Sequence, residues 1–188
     1  IFGLCGPTNT AVLAALSKSK KLKFINTRHE QIAAHAADGY ARATNKASVL
    51  RSHLSPGLTN AATGVANAAL DSIPMVVIAG DVPTHYYGKH PHQEVNLHAD
   101  ASQSEIYRPF VKRAWRVDSP HLLPEILEKA FTLAESGRPF RRSSSSRERP
   151  PTFCRCFAIT TCARAIDARI SSNDSNVSGF MPRRSIRY

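Results

Sequence analysis

Short apolar runs alternate with longer helical patterns over most of this chain. The apolar runs have the length of strands, and the segments between them carry Ala and Leu at helical spacing. The strand-like runs are Ile1–Leu4, Lys21–Thr27, Ala47–Leu50, Pro74–Ala79 and Val111–Val117, and the helical segments are Thr8–Ser17, His29–Ala43, Leu58–Leu70 and Leu122–Ser136. Such alternation forms right-handed βαβ units. It predicts an α/β fold, a parallel sheet flanked by helices on both faces.

The direction of a parallel sheet predicts where a ligand binds. Ligands of open α/β sheets lie at the carboxyl ends of the strands, where the strand order reverses. Glu30 lies where a predicted strand ends and the next helix begins, so it is a candidate catalytic carboxylate at that edge of the sheet. The polar segment Asp81–Glu105 follows another strand and has little periodicity, and we interpret it as a functional loop.

Glu30 also has a structural interpretation. Thr27 and Glu30 have the Ser/Thr-x-x-Glu spacing of a capping box, in which the two residues satisfy backbone donors at a helix start. The helix dipole favours a carboxylate in the first turn as well. Local pattern alone therefore favours a capping role for Glu30.

The chain divides by composition near residue 139. Residues 1–139 carry the α/β pattern and a net charge of +4, whereas residues 140–188 contain no Leu or Lys, ten Arg and a net charge of +7. The positive charge of the whole chain thus belongs mainly to the tail, which disfavours nucleic acid as a partner. We expect 140–188 to be an irregular Arg/Ser-rich tail, either disordered or the product of a frameshift. Because the chain opens inside a strand pattern, we expect the N-terminal strand to be truncated.

Cellular location and metal binding are constrained less firmly. A lone Cys5 in the body fits a reducing compartment, and neither a signal peptide nor a membrane span is visible. We therefore expect a cytoplasmic protein with no membrane partner, although organelle targeting stays open. The histidines at 85, 90, 92 and 98 lack regular ligand spacing, and the tail cysteines 154, 156 and 162 lack a fourth ligand, so no metal site is predicted.

Four blocks of sequence, taken together, resemble a known family. They are Phe2-Gly3-x-x-Gly6, Arg28-His29-Glu30-Gln31 through Thr44, Pro56-Gly57-x-Thr59-Asn60, and Asp71-Ser72-Ile73-Pro74 through Thr84, followed by Gln93-Glu94. In this order they resemble the N-terminal, pyrimidine-binding domain of thiamine diphosphate enzymes, closest to the acetolactate synthase-like branch. The resemblance covers roughly residues 1–139 and implies the fold of that domain.

The resemblance assigns roles to particular residues. It implies that Glu30 is the catalytic glutamate, which hydrogen-bonds the aminopyrimidine of the cofactor thiamine diphosphate. It implies that Pro56, Gly57 and Asn60 also bind the cofactor. Gln93 and His92 are implied to face the substrate, which in this branch is commonly a small 2-oxo acid. FAD is a possible second cofactor of the parent enzyme.

Departures from the family pattern leave the reaction open. Cys5, Pro7 and Thr8 occupy the first turn, His53-Leu54-Ser55 precedes Pro56, and His92 precedes Gln93, where the acetolactate synthase branch has other residues. The substrate need not be pyruvate, so related decarboxylases and acyl-CoA lyases remain alternatives. The family's Gly-Asp-Gly…Asn motif for diphosphate and Mg²⁺ does not occur in residues 1–188. We therefore expect this fragment to be inactive alone and to pair with itself or a full-length homologue; the alternative is a non-catalytic dimerisation or interaction module.

Overall fold

The computed structural model describes residues 1–86, 89, 92–94, 103–136 and 156–162, the last of these as backbone. The strands are β1 (Phe2–Gly3), β2 (Ile25–Asn26), β3 (Ser48–His53), β4 (Met75–Asp81), β5 (Arg113–Val117) and β6 (Cys156–Cys162). The helices are α1 (Thr10–Lys18), α2 (Glu30–Thr44), α3 (Leu54–Leu70) and α4 (Leu123–Glu135). Short 3-10 turns lie at Pro7–Asn9, Thr84–Tyr86, Gln103–Tyr107 and Pro120–Leu122.

The strands form one sheet in the order β2-β1-β3-β4-β6-β5, and every pairing is parallel. From β1 the chain crosses to β2 on one side, and later returns to β3 on the other side of β1. The strand order therefore reverses between β1 and β3. A crevice outside the carboxyl ends of these two strands is the expected place for a ligand.

Helices cover both faces of the sheet, as the alternating pattern predicted. One apolar cluster joins α2 and α3 to the sheet, with Leu50 and Val77 among its strand residues. A second cluster joins α4 to the other face through Val49 and Val76, with α1 packed against it. Because neighbouring residues of β3 and β4 point to opposite faces, both strands are buried on both sides. This explains why residues Met75–Ala79 of β4 form a continuous apolar run in the sequence.

One strand lies in the segment that the sequence predicted to be irregular. Backbone pairing places Cys156–Cys162 between β4 and β5, in parallel register with both. The segment Cys-Phe-Ala-Ile-Thr-Thr-Cys has the β-branched and aromatic content of a strand, but the Arg/Ser-rich tail around it hid that signal. The rest of the predicted tail, 140–155 and 163–188, lies outside the described residues. The division of the chain at residue 139 and the frameshift stay predictions.

The start of α3 differs from its predicted position. The sequence predicted a helix from Leu58, whereas α3 begins at Leu54, directly after β3 and four residues earlier. Leu54 takes the left-handed conformation with φ 52°, which is uncommon for a residue with a side chain. This single residue turns the chain from strand to helix without a loop. As a result, the end of β3 and the first turn of α3 lie together at the ligand-binding edge of the sheet.

Among the residues that the structure describes, no helix combines the length and the apolar character that a membrane crossing requires.

Candidate functional site

Glu30 is the first residue of α2, and a neighbouring residue caps that helix. The N-cap is His29, whose Nδ1 accepts a hydrogen bond from the Gln31 amide at 3.2 Å. The Thr27 amide donates instead to the Gly3 carbonyl of β1 at 3.1 Å, and the Thr27 hydroxyl donates to the His29 carbonyl at 3.0 Å. The capping-box interpretation of Glu30 is therefore wrong, because both Thr27 groups that it requires are bonded elsewhere. The Glu30 carboxylate therefore does not form the capping box of α2.

That carboxylate faces helix α3. Glu30 is buried, with 9% of its surface exposed, and Asn60 Nδ2 donates a hydrogen bond of 3.1 Å to Glu30 Oε2. Glu30 Oε1 faces Gly57, since a Cβ atom built on Gly57 would lie 3.3 Å from it. One oxygen is thus fixed by an amide, while the other faces a position that has no side chain.

The absence of a side chain at Gly57 also leaves space next to the hydroxyl of Ser52. A Cβ atom at Gly57 would lie only 2.5 Å from Ser52 Oγ. Ser52 is fully buried, and its hydroxyl has no hydrogen-bond partner among the described residues. A buried hydroxyl without a partner costs free energy of about 1–3 kcal/mol. Ser52 Oγ and Glu30 Oε1 therefore both face the position where Gly57 has no side chain.

The first turn of α3 is held in place by residues that sequence reasoning did not select. Tyr107 donates its hydroxyl to the Leu58 carbonyl at 2.6 Å. Gln103 accepts a hydrogen bond of 3.2 Å from the Ser55 hydroxyl and donates one of 2.8 Å to the Gly80 carbonyl of β4. Gln103 lies at the end of the polar segment Asp81–Glu105 that was interpreted as a functional loop, and Tyr107 lies two residues beyond it. No motif marks them, because their role depends on contacts across the fold.

The structure brings together some of the predicted site residues and separates others. Glu30 is hydrogen-bonded to Asn60 and faces Gly57, so these three residues lie together at the start of α2 and α3. Pro56 lies in the first turn of α3 but is exposed, and its carbonyl accepts from the Thr59 hydroxyl at 3.0 Å. Their cofactor-binding roles stay predictions.

The two predicted substrate-side residues differ in their contacts. Gln93 reaches the same end of α3, where its carbonyl accepts from the Ser55 amide at 3.2 Å, and its side chain is hydrogen-bonded to His53. His92 is exposed beside it. Their substrate-facing roles stay predictions. His53 and Thr8 were noted only as departures from a family pattern, yet both belong to this edge of the sheet.

Asp81, the last residue of β4, is a buried carboxylate beside this edge. Burial raises the pKa of Asp81 from 3.8 to about 6, although Arg116, with its Nε 3.5 Å from Asp81 Oδ2, and the Val82 amide both lower it. The charges of Glu94 and Asp118 raise it a little further.

A pH dependence of stability follows from the raised pKa of Asp81. The native chain holds this proton up to about pH 6, while the unfolded chain releases it near 3.8, so ionisation of Asp81 opposes folding. Its contribution to the free energy of unfolding should be most favourable below about pH 4 and be lost as the pH rises to about 6. Urea unfolding of the wild type and of Asp81→Asn between pH 3.5 and 8 measures this. If the difference in the free energy of unfolding between the wild type and Asp81→Asn stays constant across this range, the raised pKa of Asp81 is contradicted. Glu128→Gln, at an exposed carboxylate, is the control.

No group of three or more His, Cys, Asp or Glu side chains able to hold a metal occurs among the described residues. His90, His98 and Cys154 lie outside them.

Residues 1–103 match the family described as thiamine pyrophosphate enzyme, N-terminal TPP binding domain, and the chain belongs to that family. It is similar to an acetolactate synthase of Arthrospira platensis, with 42% identity over 142 residues, covering 74% of this chain and 24% of the relative. It is also 41% identical over 139 residues to acetolactate synthase isozyme 3 large subunit of Escherichia coli K12, covering 74% of this chain and 23% of the relative.

The chain spans about a quarter of the length of these relatives. Over that quarter it is the thiamine diphosphate-binding N-terminal domain of acetolactate synthase-like enzymes. The resemblance inferred from four short blocks of sequence is confirmed.

Proposed function

We propose that this domain binds the aminopyrimidine half of thiamine diphosphate, with Glu30 as the residue that exchanges a proton with the ring. The proposal is supported above all by one observation: a carboxylate oxygen of Glu30 faces a residue that has no side chain. Glu30 Oε1 faces Gly57, where a Cβ atom would lie within 3.3 Å of it. A flat ring that approaches Glu30 needs this opening, because any larger residue at position 57 narrows it.

The residues around the opening fit an aminopyrimidine. Such a ring carries nitrogen acceptors and an amino donor, and it has apolar faces. Glu30 supplies a carboxylate, and Ser52 supplies a buried hydroxyl with no partner among the described residues. A ring bound here would satisfy polar groups that are otherwise costly to bury.

In this proposal the chain contributes to the chemistry by controlling one proton, which Glu30 exchanges with the ring. Asn60 donates to Glu30 Oε2, which fixes the plane of the carboxylate and leaves Oε1 for the ring nitrogen. A carboxyl group shielded from water can share a proton with such a nitrogen. Thiamine diphosphate, when bound, supplies the nucleophilic carbon and the electron sink for reactions at a carbonyl group. Glu30 would set the protonation state of the ring, and the absence of a side chain at Gly57 would leave space for the ring to bind.

The activity of the complete protein is a wider proposal. The similarity to acetolactate synthases supports a carboligase or decarboxylase that acts on 2-oxo acids, with substrate residues at Gln93 and His92. Residues 1–188 contain no Gly-Asp-Gly…Asn motif for diphosphate and Mg²⁺. We propose that these groups are held outside this sequence, that residues 1–188 are inactive alone, and that activity requires oligomerisation or a full-length homologue. FAD remains a candidate second cofactor.

Ligand-observed NMR on the 188-residue chain tests aminopyrimidine binding directly. We expect saturation transfer to thiamine and to 4-amino-5-hydroxymethyl-2-methylpyrimidine, and none to 5-(2-hydroxyethyl)-4-methylthiazole. Because the diphosphate contributes nothing here, the affinity should be on the order of 1 mM, equivalent to about 4 kcal/mol. Equal transfer to the thiazole would indicate nonspecific contact, and no transfer to the pyrimidine would refute the proposal.

A further inference from the structure

Strand β3 carries a buried positive charge, the guanidinium of Arg51. Arg51 pairs with β1, and only 1% of its surface is exposed. Its Nη2 donates a hydrogen bond to the Asn9 carbonyl, while Nε and Nη1 have no hydrogen-bond partner among the described residues. The Phe24 ring centroid lies 5.7 Å from Arg51 Cζ, and its face attracts a cation without supplying a negative charge. No carboxylate of the described residues is ion-paired with Arg51.

Arg51 stays charged at neutral pH although it is buried. Burial lowers the pKa of Arg51 from 12.5 to about 10, and the charge of Cys5 acts in the opposite direction. A buried cation without an opposite charge is costly, because it has lost the solvation that water provides. A negative group close to the guanidinium would offset this cost. The surroundings of Arg51 therefore favour an anion in its neighbourhood.

Cys5 is the residue at which such a group can be attached. It lies in the turn that joins β1 to α1, and the last residue of that turn, Asn9, accepts the hydrogen bond from Arg51. The guanidinium is therefore directed at this turn. The Cys5 thiol forms no disulfide, and the residue is exposed. Because the charge of Cys5 acts on the guanidinium, an exposed thiol lies within electrostatic range of a buried cation.

We propose that Cys5 is a site of covalent modification by small disulfides that carry carboxylates, and that the charge of Arg51 selects these reagents. The Cys5 thiol first loses its proton to solvent. The thiolate sulfur then attacks one sulfur of the disulfide, the S–S bond breaks, and the second sulfur leaves as a thiolate with the bonding electrons. Cys5 is oxidised to a mixed disulfide, and the departing half of the reagent is reduced. The carboxylates of the attached half offset the buried charge of Arg51.

Mass spectrometry of the Cys5 peptide, after reaction of the full 188-residue chain, measures this modification separately from that of the other cysteines. Oxidised glutathione is the anionic probe, and cystamine is the cationic probe. We expect Arg51→Met to slow the reaction of Cys5 with glutathione by about ten-fold and to speed its reaction with cystamine, because the charge of Arg51 attracts an anion and repels a cation. Arg51→Lys keeps the charge and should keep the wild-type preference for glutathione.

Opposite changes in the two rates distinguish an effect of charge from an effect of access, since a loosened turn would speed both reactions. Lys46→Met removes an exposed positive charge just before the start of β3, at the other end of that strand, and should change neither rate. In the wild type, added salt should reduce the preference for glutathione, because salt screens the charge of Arg51. If both rates change in the same direction in Arg51→Met, or if the wild-type preference is absent or insensitive to salt, the proposal is wrong.

Discussion

Glu30→Gln should reduce the affinity of the chain for thiamine by ten-fold or more while leaving the fold intact. The substitution keeps the size of the side chain, and the amide oxygen can still accept the hydrogen bond from Asn60. It removes the negative charge and the ability to share a proton with the ring. Hydrogen bonds to charged groups contribute about 1.5–3 kcal/mol, which sets the scale of the loss. Calorimetry or NMR titration with thiamine measures it.

The stability of the same variant separates a binding role from a structural one. Burying a carboxylate is costly, so a glutamate kept for binding should not stabilise the fold. We expect the melting temperature of Glu30→Gln to equal or exceed that of the wild type, and Glu128→Gln, at an exposed carboxylate of α4, to change neither quantity. A lower melting temperature with unchanged thiamine affinity would show that Glu30 serves the helix rather than the ligand.

Gly64→Ala should destabilise the chain by about 3 kcal/mol, although alanine is the better helix former. Gly64 lies where α3 crosses α2. A Cβ atom there would lie 2.6 Å from the Ala34 Cβ and 3.2 Å from both the Ala34 carbonyl carbon and the His35 amide nitrogen. Backbone atoms of a packed helix cannot move aside singly, so the two helices must separate. Overpacking of this kind costs about 1–3 kcal/mol, and occasionally more.

Gly39→Ala is the matched control for that substitution. Gly39 lies within α2 as Gly64 lies within α3, but a Cβ atom at Gly39 meets nothing within 4 Å. It should stabilise the chain by about 0.5–1 kcal/mol through helix propensity alone. The two Gly→Ala changes should therefore have opposite signs in urea unfolding. Equal shifts of the same sign would mean that α2 and α3 do not pack as closely as described. Because α3 carries Gly57 and Asn60, the tight crossing also fixes the site.

Much of the fold could be predicted from residue patterns. The alternation of apolar strands and Ala-rich helices depends on local spacing, which is visible in one dimension. The predicted strands and helices of the body all occur in the structure, with shifted ends. The strand Cys156–Cys162 escaped prediction because its place between β4 and β5 comes from long-range pairing, and its flanking residues do not resemble a domain.

The candidate site was only partly predictable. Glu30, Gly57 and Asn60 could be selected by family resemblance, but the local pattern around Glu30 favoured a capping role that the structure contradicts. Nothing in the sequence indicates that the Ser52 hydroxyl has no partner within the described part of the chain, or that Tyr107 holds the start of α3. These properties depend on which atoms from distant segments meet.

The sequence by itself therefore determined the class of fold and the direction of the strands, and it selected Glu30 as the candidate carboxylate. These follow from periodicity and from short blocks of residues that carry their own chemistry. The tertiary structure alone decided that Glu30 turns away from its helix cap toward Asn60 and Gly57, and that His53 lies between Thr8 and Gln93. The physical reason is that the orientation and hydrogen bonding of a side chain depend on neighbours some 30 to 45 residues away. Only the folded chain brings those neighbours within hydrogen-bonding distance.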